Sequence, residues 1–215
     1  MKQRRSSATR VRMLEAAEAE FAEQGFEAAT MDRVAATAGV SKSHLYYHFD
    51  SKDELLAELF AVRAEEILAD KNWLFEGEDA LTSDLMQKML TEGIDRLLAS
   101  HPRFLRIAVL ECFRPGGRAD LVFELLKAFS EDTVTRFRAY GIDVDAEELG
   151  SALTWFAVLP IFGELLVGGE RARVLGLDPA TQHLIFTRQL EQLYTTYLGR
   201  LTAAAQEGET NALGS

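Results

Sequence analysis

Apolar residues recur every three or four positions along most of this chain, the spacing that gathers them on one side of an α-helix. Val11, Leu14, Ala17 and Phe21 predict a first helix from about Arg10 to Gln24, ended by Gly25. A second helix is expected from Thr30, a good N-cap, to Ala38, and a third from Ser41 to about His48. Ser51-Lys52-Asp53-Glu54 reads as a capping box that opens a fourth helix. Leu81, Leu85, Met89 and Leu97 mark another, stopped at His101-Pro102. Phe104–Phe113 is a short apolar helix, stopped by Pro115-Gly116-Gly117. Leu121, Leu125, Phe129 and Phe137 mark the next, ending near Gly141. Leu149–Val167 is apolar nearly all round, so it needs cover on two sides. Pro160 should kink it, and Gly168-Gly169 and Gly176 should bracket a loop. After Asp178-Pro179 comes a last helix with Phe186, Leu190, Leu193, Tyr197 and Leu201. The tail from Ala203 is expected to be disordered.

Composition agrees with an all-α fold. Only four of 215 residues are proline, and strong helix formers dominate. The single cysteine, Cys112, leaves no intramolecular disulfide and suits a reducing cytoplasm. Within its apolar helix it reads as a buried, inert thiol. Neither a signal peptide nor a transmembrane helix is expected. Residues 1–12 are basic but lead into a charge-rich segment, and the most apolar run, Ala152–Gly163, is followed at once by Glu164.

The net charge of −11 argues against nucleic-acid binding until its distribution is followed. Residues 1–12 hold Lys2, Arg4, Arg5, Arg10 and Arg12 without an acid, whereas residues 13–60 set ten acids against three bases. A basic arm on an acidic body suits a protein that touches phosphate at one end only.

Residues 30–50, TMDRVAATAGVSKSHLYYHFD, set two short helices around a Gly39-Val40-Ser41 turn. That is the pattern of a helix-turn-helix. Val34, Ala35, Ala38, Val40 and Leu45 let the helices pack closely. Lys42, Ser43 and His44 then open the second helix, at the positions that enter a major groove and donate or accept at base edges. Tyr46, Tyr47, His48, Arg33 and Lys52 are candidates beside them, with the tyrosine hydroxyls, His48 and Lys52 read as phosphate partners. Core packing is the alternative for both tyrosines, and because adjacent helical positions do not share a face Tyr46 is preferred over Tyr47 at phosphate. Thr30 starts a helix whose free amides can also face a phosphate. His44 and His48 stand four apart, a metal-ligand spacing, but no carboxylate or cysteine in that helix completes a site. DNA contact is the reading preferred for both.

Residues 10–60 resemble the DNA-binding domain of the TetR family. The likeness rests on Leu14-Glu15-Ala16-Ala17, Phe21, Gly25-Phe26, Thr30, Ala38-Gly39-Val40-Ser41, Leu45-Tyr46-Tyr47-His48-Phe49 and Ser51-Lys52-Asp53-Glu54-Leu55-Leu56. Ser43 and His44 depart from the residues frequent there, which bears on the DNA sequence read and not on the fold. The resemblance implies about nine helices, a homodimer whose last two helices form a four-helix bundle with the partner, and a cavity for a small effector.

The expected organisation is therefore a basic arm and helix-turn-helix domain over 1–52, a helical ligand-binding and dimerisation domain over 53–203, and a tail over 204–215. Met86, Met89, Phe104, Glu111, Phe113, Phe129, Trp155 and Phe156 are the candidate effector lining, with ordinary core packing as the alternative for each. Glu111 and Glu164 stand in apolar stretches, where they are solvated, pair with an arginine such as Arg106, or meet a cationic ligand. No cofactor, metal or catalytic motif is read. The expected function is a cytoplasmic repressor, dimeric on palindromic operator DNA and released by a largely apolar effector. The alternative is a DNA-bound structural or partner-recruiting protein without a ligand.

Overall fold

The computed structural model describes residues 2–72, 83–193 and 196, apart from the side chains of residues 2–7, 83–87 and 89–91. The described residues are helical, with no strand among them: α1 Lys2–Gln24, α2 Met31–Ala38, α3 Lys42–His48, α4 Lys52–Asp70, α5 Ser83–Ser100, α6 Pro102–Phe113, α7 Ala119–Ala139, α8 Ala146–Leu175 and α9 over residues 179–193. Leu81, Tyr197, Leu201 and the tail from Ala203 lie outside the described residues.

Two compact units divide the chain. The first holds residues 1–67 and 101–125, the second 68–100 and 126–215, and the chain passes between them within α4, between α5 and α6, and within α7. The first unit is larger than the segment 1–52, because α6 packs on α1. Met13, Phe21, Val34, Leu45, Phe49, Leu55, Leu56 and Leu59 are all fully buried in it. Phe60 of α4 meets Phe104 of α6 edge to face, with ring centroids 4.8 Å apart.

The second unit has two smaller apolar clusters. Ile94, Ala157, Ile161 and Leu190 tie α5 to α8 and α9, and Val134, Phe137, Val144 and Leu149 tie α7 to the start of α8. Leu153 packs against both. The expected loop at Gly168-Gly169 is absent, and α8 runs unbroken to Leu175 before Gly176 ends it in the left-handed conformation. Pro160 stays inside the helix because the preceding turn, Thr154–Val158, widens to π-helical form. There the Leu159 amide donates to the Thr154 carbonyl five residues back, which makes room for the pyrrolidine ring. A second π-helical turn, Glu164–Gly168, follows. By length and hydropathy alone, α8 is the one described helix long and apolar enough to cross a membrane, although only 28% of its most apolar stretch is buried.

Candidate nucleic-acid interface

Local chemistry builds the two short helices. The Thr30 hydroxyl accepts from the Arg33 amide at 3.3 Å and starts α2. At the other end Gly39 takes φ 65°, open to glycine at no steric cost, and its amide donates to the Ala36 carbonyl while Val40 donates to Ala35. This is a Schellman turn, and it re-aims the chain within two residues. Ser41 then caps α3 by accepting from the His44 amide at 3.2 Å. Only Leu45 of α3 is buried, so the helix is pinned by one side chain. The rest of its surface stays available.

That surface carries Lys42, Ser43, His44, Tyr46 and Tyr47, all exposed, with Tyr47 at 82% the most exposed of the described large apolar residues. His48 is half-buried. Its ring lies 5.2 Å from that of His44 and edge-on to Tyr47 at 5.3 Å. Burial first, then the neighbouring His44 and Arg10, holds the His48 imidazole below its usual pKa, which favours the neutral form at neutral pH. An open groove of about 410 Å³ runs beside α3, lined among others by Thr30, Asp32, Lys42, Tyr46, Ser51 and Lys52.

Two of the expected DNA residues are already engaged with acids. Lys42 Nζ lies 2.7 Å from Asp32, in the first turn of α2. Hydrogen bonding and charge from Asp32 raise the lysine pKa. Arg33 Nε lies 3.0 Å from Glu20 of α1, whose other oxygen accepts from Thr37. Arg10, not singled out from the sequence, stacks on Phe49 at 4.8 Å and pairs with Glu58 at 2.7 Å, which anchors the arm to α4.

Lys52, expected from the sequence as a phosphate partner, is engaged within the protein. Its ammonium donates to the carbonyls of Phe26, Glu27 and Ala29 at 2.6, 3.1 and 3.0 Å. An ammonium has three hydrogens, and all are taken within the protein. The capping box is also displaced by one residue: Ser51 accepts from the Glu54 amide, but the Glu54 carboxylate reaches back to the amide of Asp50.

The candidate effector lining is divided between the two units. Phe104, Glu111 and Phe113 belong to the first unit, whereas Phe129, Trp155 and Phe156 belong to the second. Phe104 is fully buried against Phe60. Glu111 is buried but paired with Arg114 at 2.6 Å, so it is neither solvated nor aimed at a cationic ligand, and its arginine is not Arg106. Arg106 instead donates to the Ala22 carbonyl. Phe113, Trp155 and Phe156 are exposed, and Phe129 receives the Lys71 ammonium over its ring at 4.0 Å. The side chains of Met86 and Met89 lie outside the described residues. Cys112 is half-buried, and burial raises its thiol pKa, which disfavours the reactive thiolate.

A glycine-turned pair of capped helices, the second offering a lysine, a serine and a histidine to solvent, is the working part of a DNA-binding transcription regulator. Comparison with known proteins narrows the class. Residues 13–59 match the family described as bacterial regulatory proteins, tetR family. Over 191 residues the chain is 30% identical to the HTH-type transcriptional repressor SCO4008 of Streptomyces coelicolor, covering 82% of this chain and 93% of that one. It is 32% identical over 143 residues to the HTH-type transcriptional regulator UidR of Escherichia coli, covering 66% and 68%. The chain belongs to the TetR family of transcriptional regulators. Its fold is that of FadR from Bacillus subtilis, solved in complex with stearoyl-CoA (TM-score 0.64, 15% identity, 86% of this chain and 97% of that one). A TetR-family regulator from Marinobacter aquaeolei is also similar (TM-score 0.60, 20% identity, 90% and 98%).

Proposed function

We propose that this protein is a cytoplasmic repressor that binds palindromic operator DNA as a homodimer and releases it when a small, largely apolar effector binds. The observation that carries the DNA half is the outward row Lys42, Ser43 and His44 on a helix anchored by the buried Leu45. Lysine donates to guanine O6 and N7, and serine and histidine complete a short polar reading surface. Tyr46, Tyr47 and His48 flank it as phosphate partners, with the amides at Thr30 as a further donor set.

Two-fold assembly is supported by apolar side chains left in solvent on neighbouring stretches of the second unit. Leu165, Leu166 and Val167 of α8 are 43–57% exposed, and Leu184, Ile185 and Leu193 of α9 are 42–58% exposed. A bilayer would serve α8 but not α9, which carries the same kind of surface. A second copy covers both, and two copies supply the paired recognition helices that successive major grooves require, ~34 Å apart. Effector binding is supported by the divided core of the second unit, where, among the described residues, Leu153 packs against both clusters. A solved relative of the same fold holds an acyl-CoA. Phe129, Met86 and Met89, on α7 and α5 of this unit, remain the lining we propose.

The test is footprinting of the full-length protein on the DNA flanking its own gene, repeated with a panel of hydrophobic compounds. Protection of a palindrome, lost with at least one compound, is the expected result. Protection that no compound relieves removes the effector and leaves the structural or partner-recruiting reading. No protection removes the operator claim.

A further inference from the structure

The turn after α6 is wound onto a buried carboxylate. Glu111 is 1% exposed. Its two oxygens accept from Arg114 Nε at 3.1 Å and Nη2 at 2.6 Å, and the second also accepts the Arg118 amide at 3.3 Å. Gly117 closes the turn on the Arg114 carbonyl at 2.9 Å. A Cβ at Gly117 would stand 2.1 Å from the Glu111 carbonyl oxygen, so the backbone passes where no side chain fits.

Arg114 also faces the other way. Its Nη1 pairs with Glu27 at 2.6 Å, and its guanidinium lies 5.7 Å from the centre of the Phe26 ring. Lys52 lies 4.4 Å from the same ring. Phe26 is thus met by two cations, one from α4 and one from the α6–α7 turn. The three carbonyls that hold Lys52 belong to Phe26, Glu27 and Ala29, and Ala29 directly precedes the Thr30 cap of α2. A continuous series of contacts therefore runs from a buried acid in α6 to the first residue of the helix-turn-helix.

We infer that Lys52, Arg114 and Glu111 are positioning residues for DNA binding: they clasp the 25–29 loop around Phe26 and so set where α2, and α3 beyond it, lie. The inference rests on the DNA-binding reading above. Base reading depends on placement to within roughly 0.5 Å, and the clasp adds to the burial of Phe26 and Ala29 in holding the loop. The Ala29 amide donates to Gly25 and the Phe26 ring meets Phe21 edge to face. Lys52 lies among the groove-lining residues yet spends its three hydrogens on the loop. A lysine given to phosphate and a lysine given to carbonyls differ in one measurable way. Removing the first reduces counterion release, and removing the second does not.

The test uses full-length Lys52→Met and Arg114→Met, which keep most of the side-chain bulk. The probes are a duplex selected by the wild-type protein from a random-sequence pool and a scrambled duplex, each titrated over a range of salt. Both variants should lower the preference for the selected duplex about tenfold and leave the salt slope unchanged. The double variant should lose less than the product of the two single effects, because both cations act on Phe26. Without DNA, amides 29–34 should exchange hydrogen faster than in wild type while those around Phe21 do not change. A salt slope reduced by about one unit for Lys52→Met makes that residue a phosphate contact and overturns the inference. So do wild-type preference in both variants or unchanged exchange at 29–34. A wild-type protein that selects no sequence would fail the DNA-binding reading itself, and the exchange measurement would still decide whether the clasp holds the loop. Glu111→Gln, which weakens the hub alone, should move exchange in the same direction as Arg114→Met.

Discussion

The two units of this protein satisfy their side chains in different ways. The first keeps fully buried aromatic and aliphatic residues from α1, α2, α3, α4 and α6, and pairs its buried acids with arginines: Glu18 with Arg63 and Glu20 with Arg33 across helices, and Glu111 with Arg114 at the end of α6. Its helices are capped by side chains within the unit. The second has thinner cores and leaves Trp155, Leu165, Leu166, Val167, Leu184, Ile185 and Leu193 in solvent. A buried lysine, Lys71, is held there by Asp132 and Thr133 against a desolvation that pulls its pKa down. The first unit buries its largest core side chains fully within one chain. Among the described residues, the second presents apolar area to solvent on α8 and α9, which is the condition for a surface completed by another molecule.

The largest expected effect breaks the first unit. Phe104→Ala removes a fully buried ring packed on Phe60 and should cost about 3–5 kcal/mol in urea unfolding. A loss well under 1 kcal/mol would mean that α6 is dispensable to the first unit. Next comes the second. Leu184→Glu with Leu193→Glu puts charge at two exposed apolar positions of α9 and should yield monomers by light scattering. Operator affinity should fall about 100-fold or more, since a single helix-turn-helix buries too little surface for tight binding. A monomeric wild type would contradict the contrast between the units.

Smaller effects sharpen the first unit's role. Lys42→Ala should reduce discrimination between matched and mismatched operators about tenfold, read by competition binding. Equal weakening on all sequences would instead make Lys42 a phosphate contact. The smallest effect is in pH. Because His48 titrates below its usual value in the folded chain, the unfolded chain takes up the proton first as pH falls through about 6.5. Its contribution to stability is therefore complete above that pH and is lost as pH drops towards the folded-state pKa. His48→Gln should flatten this part of the stability–pH curve, and a variant with the wild-type slope would place the titration elsewhere.

Much of the reading head was legible because its signals are local. Thr30, Gly39 and Ser41 act on amides and carbonyls three or four residues away, so their identities suffice to predict where α2 ends and α3 begins. The apolar face of Val34, Ala35, Ala38 and Leu45 follows from the helical period. The Glu111–Arg114 pair was also within reach, three residues apart on one helix face, yet Arg106 at five residues' distance was the partner considered. The start of α1 at Lys2 and the passage of α8 through Pro160 and Gly168-Gly169 ran against local propensity. In α8 a widened turn reconciled the proline with the helix.

Sequence alone determined the helix-turn-helix, its outward residues and the family, because short-range hydrogen bonding and apolar spacing are written in consecutive residues. Tertiary structure decided what each cation does. Lys52 meets carbonyls 23 to 26 positions away, Lys42 meets an acid ten positions back, and Arg114 reaches Glu27 across 87 residues of chain. A long, charged side chain can serve phosphate, carboxylate or carbonyl equally well, and only the neighbours that folding brings within about 3 Å choose among them.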